Sequence, residues 1–270
     1  MREASVGHQC PECVALGRRT QRPARTAFGG SAAGQQGYVT KALIAINCLL
    51  LLISAASAHS PGNALGGGQG LGLLGGETPL MDRLAVVGLI RYGQFDPTVH
   101  GVAQGEYYRL ITAMFMHYGV LHLGLNMYAL WILGRQLEQV LGPARFLALY
   151  LVSGLGGNVA AYVFQPNGLS AGASTALFGL FAALVLVVRR LGGSIAPLIP
   201  ILAINFIFTF SVPGISIAGH LGGFVTGGIV GAGLAYAPRA NRTVIQATVV
   251  GLTLVALVAL SLWKTSAIGG

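Results

Sequence analysis

Long apolar runs separated by short polar breaks dominate this chain from residue 40 onward. Seven runs stand out, near 40–58, 118–134, 144–164, 173–188, 195–211, 217–236 and 243–263. A helix needs about 20 predominantly apolar residues to cross the hydrocarbon core, within a range of roughly 17–25. The runs have that scale, and the one at 173–188 is the shortest. No stretch alternates with period two, which excludes a transmembrane barrel. The expected fold is all-α, a polytopic membrane bundle of seven transmembrane helices.

Composition agrees with lipid as the solvent. The 270 residues are 54% hydrophobic and 9% charged, where a soluble domain carries about 25% charged residues. The net charge of +9 does not point to nucleic acid, because the basic residues lie in the breaks rather than along one face. Threading seven spans from an inside N-terminus places Arg2, Arg18, Arg19, Arg22, Arg25, Lys41, Arg135, Arg145, Arg189, Arg190, Arg239 and Arg242 inside. Only Arg83, Arg91, Arg109 and Lys264 fall outside. Twelve against four sets the orientation by the positive-inside rule. Residues 1–37 are basic and lack the apolar core of a signal peptide. They are expected to stay in the cytoplasm, with the protein multi-pass in the inner (plasma) membrane.

The first outer loop, about 59–117, is long. Its glycine-rich start, Gly62 to Gly76, reads as a flexible linker. Its second half holds Tyr107, Tyr108, Arg109 and Met114–Phe115–Met116, and suits a segment lying partly in the membrane at headgroup level. An ordinary extracytoplasmic loop remains open. Cys10, Cys13 and Cys48 cannot make a disulfide framework.

Polar residues inside lipid are costly and mark function. His122 and Asn126 lie four apart near the outer end of span two, on one helix face. Ser174 lies at the outer end of span four, and His220 near the outer end of span six. Spans two, four and six all enter from outside, so the four residues share a depth. Ser174 follows Ala171, Gly172 and Ala173 at a loop-to-helix junction, where small residues admit a close backbone and free N–H groups favour negative charge. A serine nucleophile needs a base, and His220 could serve. Taken singly, Ser174 reads as a packing residue or one that bonds a carbonyl, as serines between membrane helices commonly do. Gly223, Gly227 and Gly231 give span six a smooth face, expected to pack on Gly179, Ala182 and Ala183 of span four. No Asp or Glu lies in the outer half of any span, so a hydrolase here would use a dyad rather than a triad.

Together these residues resemble the rhomboid intramembrane serine proteases. The resemblance rests on His122-Leu123-Gly124-Leu125-Asn126, on Gly172-Ala173-Ser174 with Phe178-Gly179 downstream, and on His220 followed by Gly223 and Gly227. Weaker matches are Tyr108-Arg109, in the place of a Trp-Arg pair, and Glu138, Gly142, Arg145 and Phe146 between spans two and three. It covers about residues 40–240. It implies Ser174 as nucleophile and His220 as general base and then acid. His122, Asn126 and the Ser174 backbone N–H would stabilise the oxyanion, with Gly172 in support. Tyr162 would stack on the catalytic histidine, with interfacial anchoring as its other reading. Span five and the loop at 211–216 would form a lateral gate and cap. Substrates would be single-span membrane proteins unwound near the outer face, and no cofactor or metal is implied.

The layout implied is a tail at 1–37, a six-helix core at 38–240 and an added helix at 241–270. His8, Cys10 and Cys13 resemble the remnant of a small zinc finger that precedes some actinobacterial rhomboids, but they do not complete a four-ligand site. One position departs from the family pattern. Thr175 follows the nucleophile where glycine is usual, and a β-branched side chain there is expected to narrow the cleft or tilt the oxyanion donors. That keeps open a second reading, an inactive rhomboid-like pseudoprotease that binds membrane clients. A transporter would show intramembrane acids or repeats, and neither is found.

Overall fold

The computed structural model describes residues 2–4, 7–20, 24–66, 76–91, 99–212 and 214–269. Most of the glycine-rich stretch, residues 67–75, and the side chain of His8 lie outside them. Seven long helices carry the fold: α1 (Tyr38–Ala56), α2 (Gly119–Leu141), α3 (Pro143–Phe164), α4 (Ser174–Arg190), α5 (Leu198–Ser211), α6 (Ile217–Tyr236) and α7 (Arg242–Gly269). Each overlaps one apolar run of the sequence, α2 and α7 extending several residues beyond theirs. By length and composition α1, α3, α6 and α7 can cross a membrane, and α5 is a shorter apolar helix. The strands among the described residues are two short antiparallel pairs, β1 (Arg2–Ala4) with β2 (Gly7–Gln9) and β3 (Ile90–Arg91) with β4 (Val99–His100).

The centre of the bundle is α6 lodged between α3 and α4. Lipid offers no hydrophobic drive for this association, so contact depends on backbones coming close. A Cβ on Gly227 would collide with the Gly179 backbone, and one on Gly223 with the Thr175 carbonyl. A Cβ on Gly231 would sit 2.7 Å from that of Ala183. The α6 glycines therefore meet the small-residue face of α4. On the other side, Gly156 and Gly157 of α3 make room for Thr226 and Thr175, and Gly222 for Ala160.

The α2 run extends past Arg135 because its charge is used. Glu138 is fully buried and accepts hydrogen bonds from the N–H groups of Val39 (3.0 Å) and Thr40 (2.9 Å) and from the Thr40 hydroxyl (2.7 Å). A carboxylate thereby satisfies the open N-terminus of α1 and complements its dipole. Part of the basic tail is also docked. Phe28 is buried, and its carbonyl accepts from Gln246, while the Ala27 carbonyl accepts from Arg242 at the start of α7.

The periphery is α7, with 11% of its most apolar window buried against 67% for α3. Near its far end the Thr265 hydroxyl donates to Ser261 O and accepts from Tyr107 (3.0 Å) and Tyr162 (2.9 Å). The last helix is thus tied to the first loop and to α3.

The glycine face makes a paired prediction. Gly227→Ala should destabilise the fold by about 1–3 kcal/mol through overpacking. Gly228→Ala, whose Cβ would meet only Ala182 at 3.8 Å, should be near neutral. Unfolding of both variants in detergent micelles checks the contrast.

Candidate active site

Ser174 is the first residue of α4, and no side chain caps that helix. Its opening N–H groups therefore face the site with their partial positive charge uncompensated. The chain turns into the helix through Gly172, whose φ of 136° excludes other residues. His220, one turn into α6, is buried, and its Nε2 lies 2.7 Å from Ser174 Oγ. The ring stacked on His220 is that of Phe178, with centroids 4.3 Å apart and planes at 17°. Its Nδ1 lies 2.8 Å from the hydroxyl of Thr209 on α5.

His122 flanks the same glycine. A Cβ on Gly172 would lie 3.0 Å from His122 Nε2 and 3.4 Å from Ser174 Oγ. The Tyr118 N–H meets His122 Nδ1 at 3.2 Å. An amide can only donate, so neutral His122 carries its proton on Nε2, the nitrogen beside Gly172. Asn126 sits one turn further along α2 and donates to the His122 carbonyl at 2.8 Å.

The structure thus brings together Ser174, His220, His122 and Gly172, with Asn126 behind them. Tyr162 is placed differently from the expectation. It is fully buried and its hydroxyl bonds Thr265, while Phe178 takes the stacking position. Phe178 lies one helical turn after Ser174, on the face of α4 that meets α6, whereas Tyr162 belongs to α3. For Thr175 the structure speaks to one of the two expected effects, the narrowing of the cleft. Its side chain is buried against Gly157 and Gly219, so its branch fills a helix interface and not the cleft. Two residues were missed by the sequence reading. Thr209 stands four residues from Asn205 in an otherwise apolar helix, which was its signal. His117 is buried, accepts from the Ala173 N–H at 3.4 Å and lies 5.1 Å from His122, centroid to centroid. No pattern in the sequence distinguished it.

The first loop forms one wall of the site. Val86 pairs with Ser170 through two backbone bonds (2.9 and 2.8 Å), and the Gly172 N–H donates to Ala113 O at 2.9 Å. Asn158 of α3 donates to Leu110 O at 2.9 Å.

The family model for the Rhomboid domain matches residues 104–237. Rhomboid protease GluP of Bacillus subtilis is 42% identical over 134 residues, 47% of this chain and 26% of that protein. The rhomboid-family protein YdcA of the same bacterium is 37% identical over 133 residues, 47% of this chain and 67% of that protein. RHOMBOID-like protein 1 of Arabidopsis thaliana is 35% identical over 158 residues, 56% of this chain and 40% of that protein. The chain belongs to the rhomboid family. It spans about a quarter of the length of GluP and about two thirds of that of YdcA.

In this rhomboid Arg109 of the first loop is enclosed by protein rather than presented at the surface. Arg109 is 1% exposed and is held by Glu106 and by the carbonyls of Asp82 and Ala85, while Tyr108 beside it is exposed. Burial alone would raise the Glu106 carboxyl. Hydrogen bonds from His100, Arg109 and the Gly101 N–H outweigh it and hold Glu106 below the ordinary carboxylate range. A depressed folded pKa contributes stability above the unfolded value, near 4.3, and loses it as pH falls through the folded value. Glu106→Gln should therefore lower thermal stability at pH 7. The gap to wild type should close as pH falls below about 4, as melting curves across pH would read.

Proposed function

We propose that this rhomboid is an intramembrane serine endopeptidase using a Ser174–His220 dyad. The observation that carries the reading is the 2.7 Å contact between Ser174 Oγ and His220 Nε2 at an uncapped helix start. Oγ attacks the scissile carbonyl while His220 takes its proton, then gives it to the leaving amine. The Ser174 N–H, His122 Nε2–H and the Asn126 side-chain amide stabilise the oxyanion; one Asn126 N–H is given to the His122 carbonyl, and the other serves the site. A water, activated by His220, releases the acyl group. The name of the relative GluP, a rhomboid protease, supports the class of activity.

The substrates are single-span membrane proteins, cut near the outer face of the plasma membrane. The distribution of arginine supports that side: Arg189 and Arg190 close α4 at the end opposite Ser174. In this layout all seven helices cross the bilayer, with residues 38–240 as the core, 241–270 as an added helix and the N-terminus cytoplasmic. The motion of α5 and the following loop admits the substrate. Residue 213 of that loop lies outside the described residues. The inactive-scaffold reading drew on Thr175, and that side chain points away from the cleft.

Purified protein in vesicles should cleave a model single-span substrate. Ser174→Ala and His220→Ala should each lower the rate by at least about a thousandfold. A wild type that cleaves nothing across several substrates and lipids would sink the proposal. Thr175→Gly should bring no gain in kcat and should lower the melting temperature, because it empties a packed helix interface. A gain in activity would return weight to the scaffold reading.

A further inference from the structure

Both nitrogens of His220 are engaged, and the partner of Nδ1 defines the state of the ring. Thr209 Oγ1 lies 2.8 Å from that nitrogen and also 2.8 Å from the carbonyl of Asn205, one turn back on α5. A hydroxyl has one hydrogen, and a carbonyl can only accept, so that hydrogen goes to Asn205. Toward His220 the oxygen then offers only a lone pair. Neutral His220 must carry its proton on Nδ1, which leaves the Nε2 lone pair facing Ser174 Oγ. Thr209 is 2% exposed, which shields the bond from bulk water. We propose that Thr209 is a positioning residue that holds His220 in the tautomer able to deprotonate Ser174, a neutral third member supplied by α5. The proposal rests on the protease reading above. It also gives α5, which touches the rest of the bundle sparsely, a part in aligning the base.

The test compares wild type, Thr209→Val and Thr209→Ser in the same vesicles. Thr209→Val keeps shape and apolar fit but cannot accept from Nδ1–H. Cleavage is read as kcat and KM. A fluorophosphonate reports the nucleophile without a peptide substrate: the Ser174 Oγ–P bond forms, fluoride leaves, and the serine proton passes to His220. Thr209→Val should lower kcat and the phosphonylation rate about tenfold, the scale of one lost hydrogen bond. KM should hold within about twofold, and Thr209→Ser should restore both rates. Imidazole ¹⁵N spectra should show Nδ1 of His220 protonated in wild type and the neutral ring as a mixture in Thr209→Val. Wild-type rates in Thr209→Val would overturn the proposal while leaving the protease reading intact. Equal loss in Val and Ser variants would overturn it too, since shape and not the acceptor would then matter. A wild type that neither cleaves nor reacts with the fluorophosphonate would remove the protease reading, and this inference with it.

Discussion

Close approach of backbones, bought by leaving side chains off α6, is the constraint on which this molecule depends. In lipid, helices gain little from hiding apolar surface, and what holds them is packing at short range. Gly223, Gly227 and Gly231 on one side and Gly156 and Gly157 on the other let α6 seat between α4 and α3. That seating delivers His220 to Ser174 Oγ. Even Thr175, which stands where glycine is usual, finds its volume in the gap left by Gly157 and Gly219 rather than in the cleft.

A second layer fixes what the helices alone would leave loose. The Gly172 turn is held by the Ala113 carbonyl, and the strand bridge at Val86 and Ser170 pins the chain just before it. The first loop is in turn fastened by buried Arg109 and, through Tyr107, by Thr265 of α7. The first loop is therefore structural framework for Ser174, and α7 reaches it by packing on Val102–Gln104 and through the Thr265 hydroxyl that Tyr107 shares with Tyr162.

The helices were legible because the lipid-facing pattern is written residue by residue. The run at 217–236 matches α6 end to end. The run at 118–134 stopped short of Leu141, because Arg135 and Glu138 read as its end while Glu138 is in fact consumed by the N-terminus of α1. Depth along the spans brought Ser174, His220, His122 and Asn126 to one level, but depth carries no azimuth. Tyr162 has the right height and turns toward α7, while Phe178 has the right side and was read only as a motif neighbour. Thr209 was hidden for another reason: a lone hydroxyl on an apolar helix normally satisfies itself on its own backbone, and this one does so while still offering a lone pair outward.

The third group beside His220 is a neutral hydroxyl and not a carboxylate. In the proposed reaction His220 would become a cation on taking the serine proton, and nothing anionic on the described residues around it answers that charge. Charge separated there would be answered by oriented dipoles, the hydroxyl of Thr209 and the N–H groups opening α4. The geometry of the pocket would therefore matter more to that reaction than its charge: a shift of α5 that turned the Thr209 hydroxyl away would leave the ring free to present either nitrogen to Ser174.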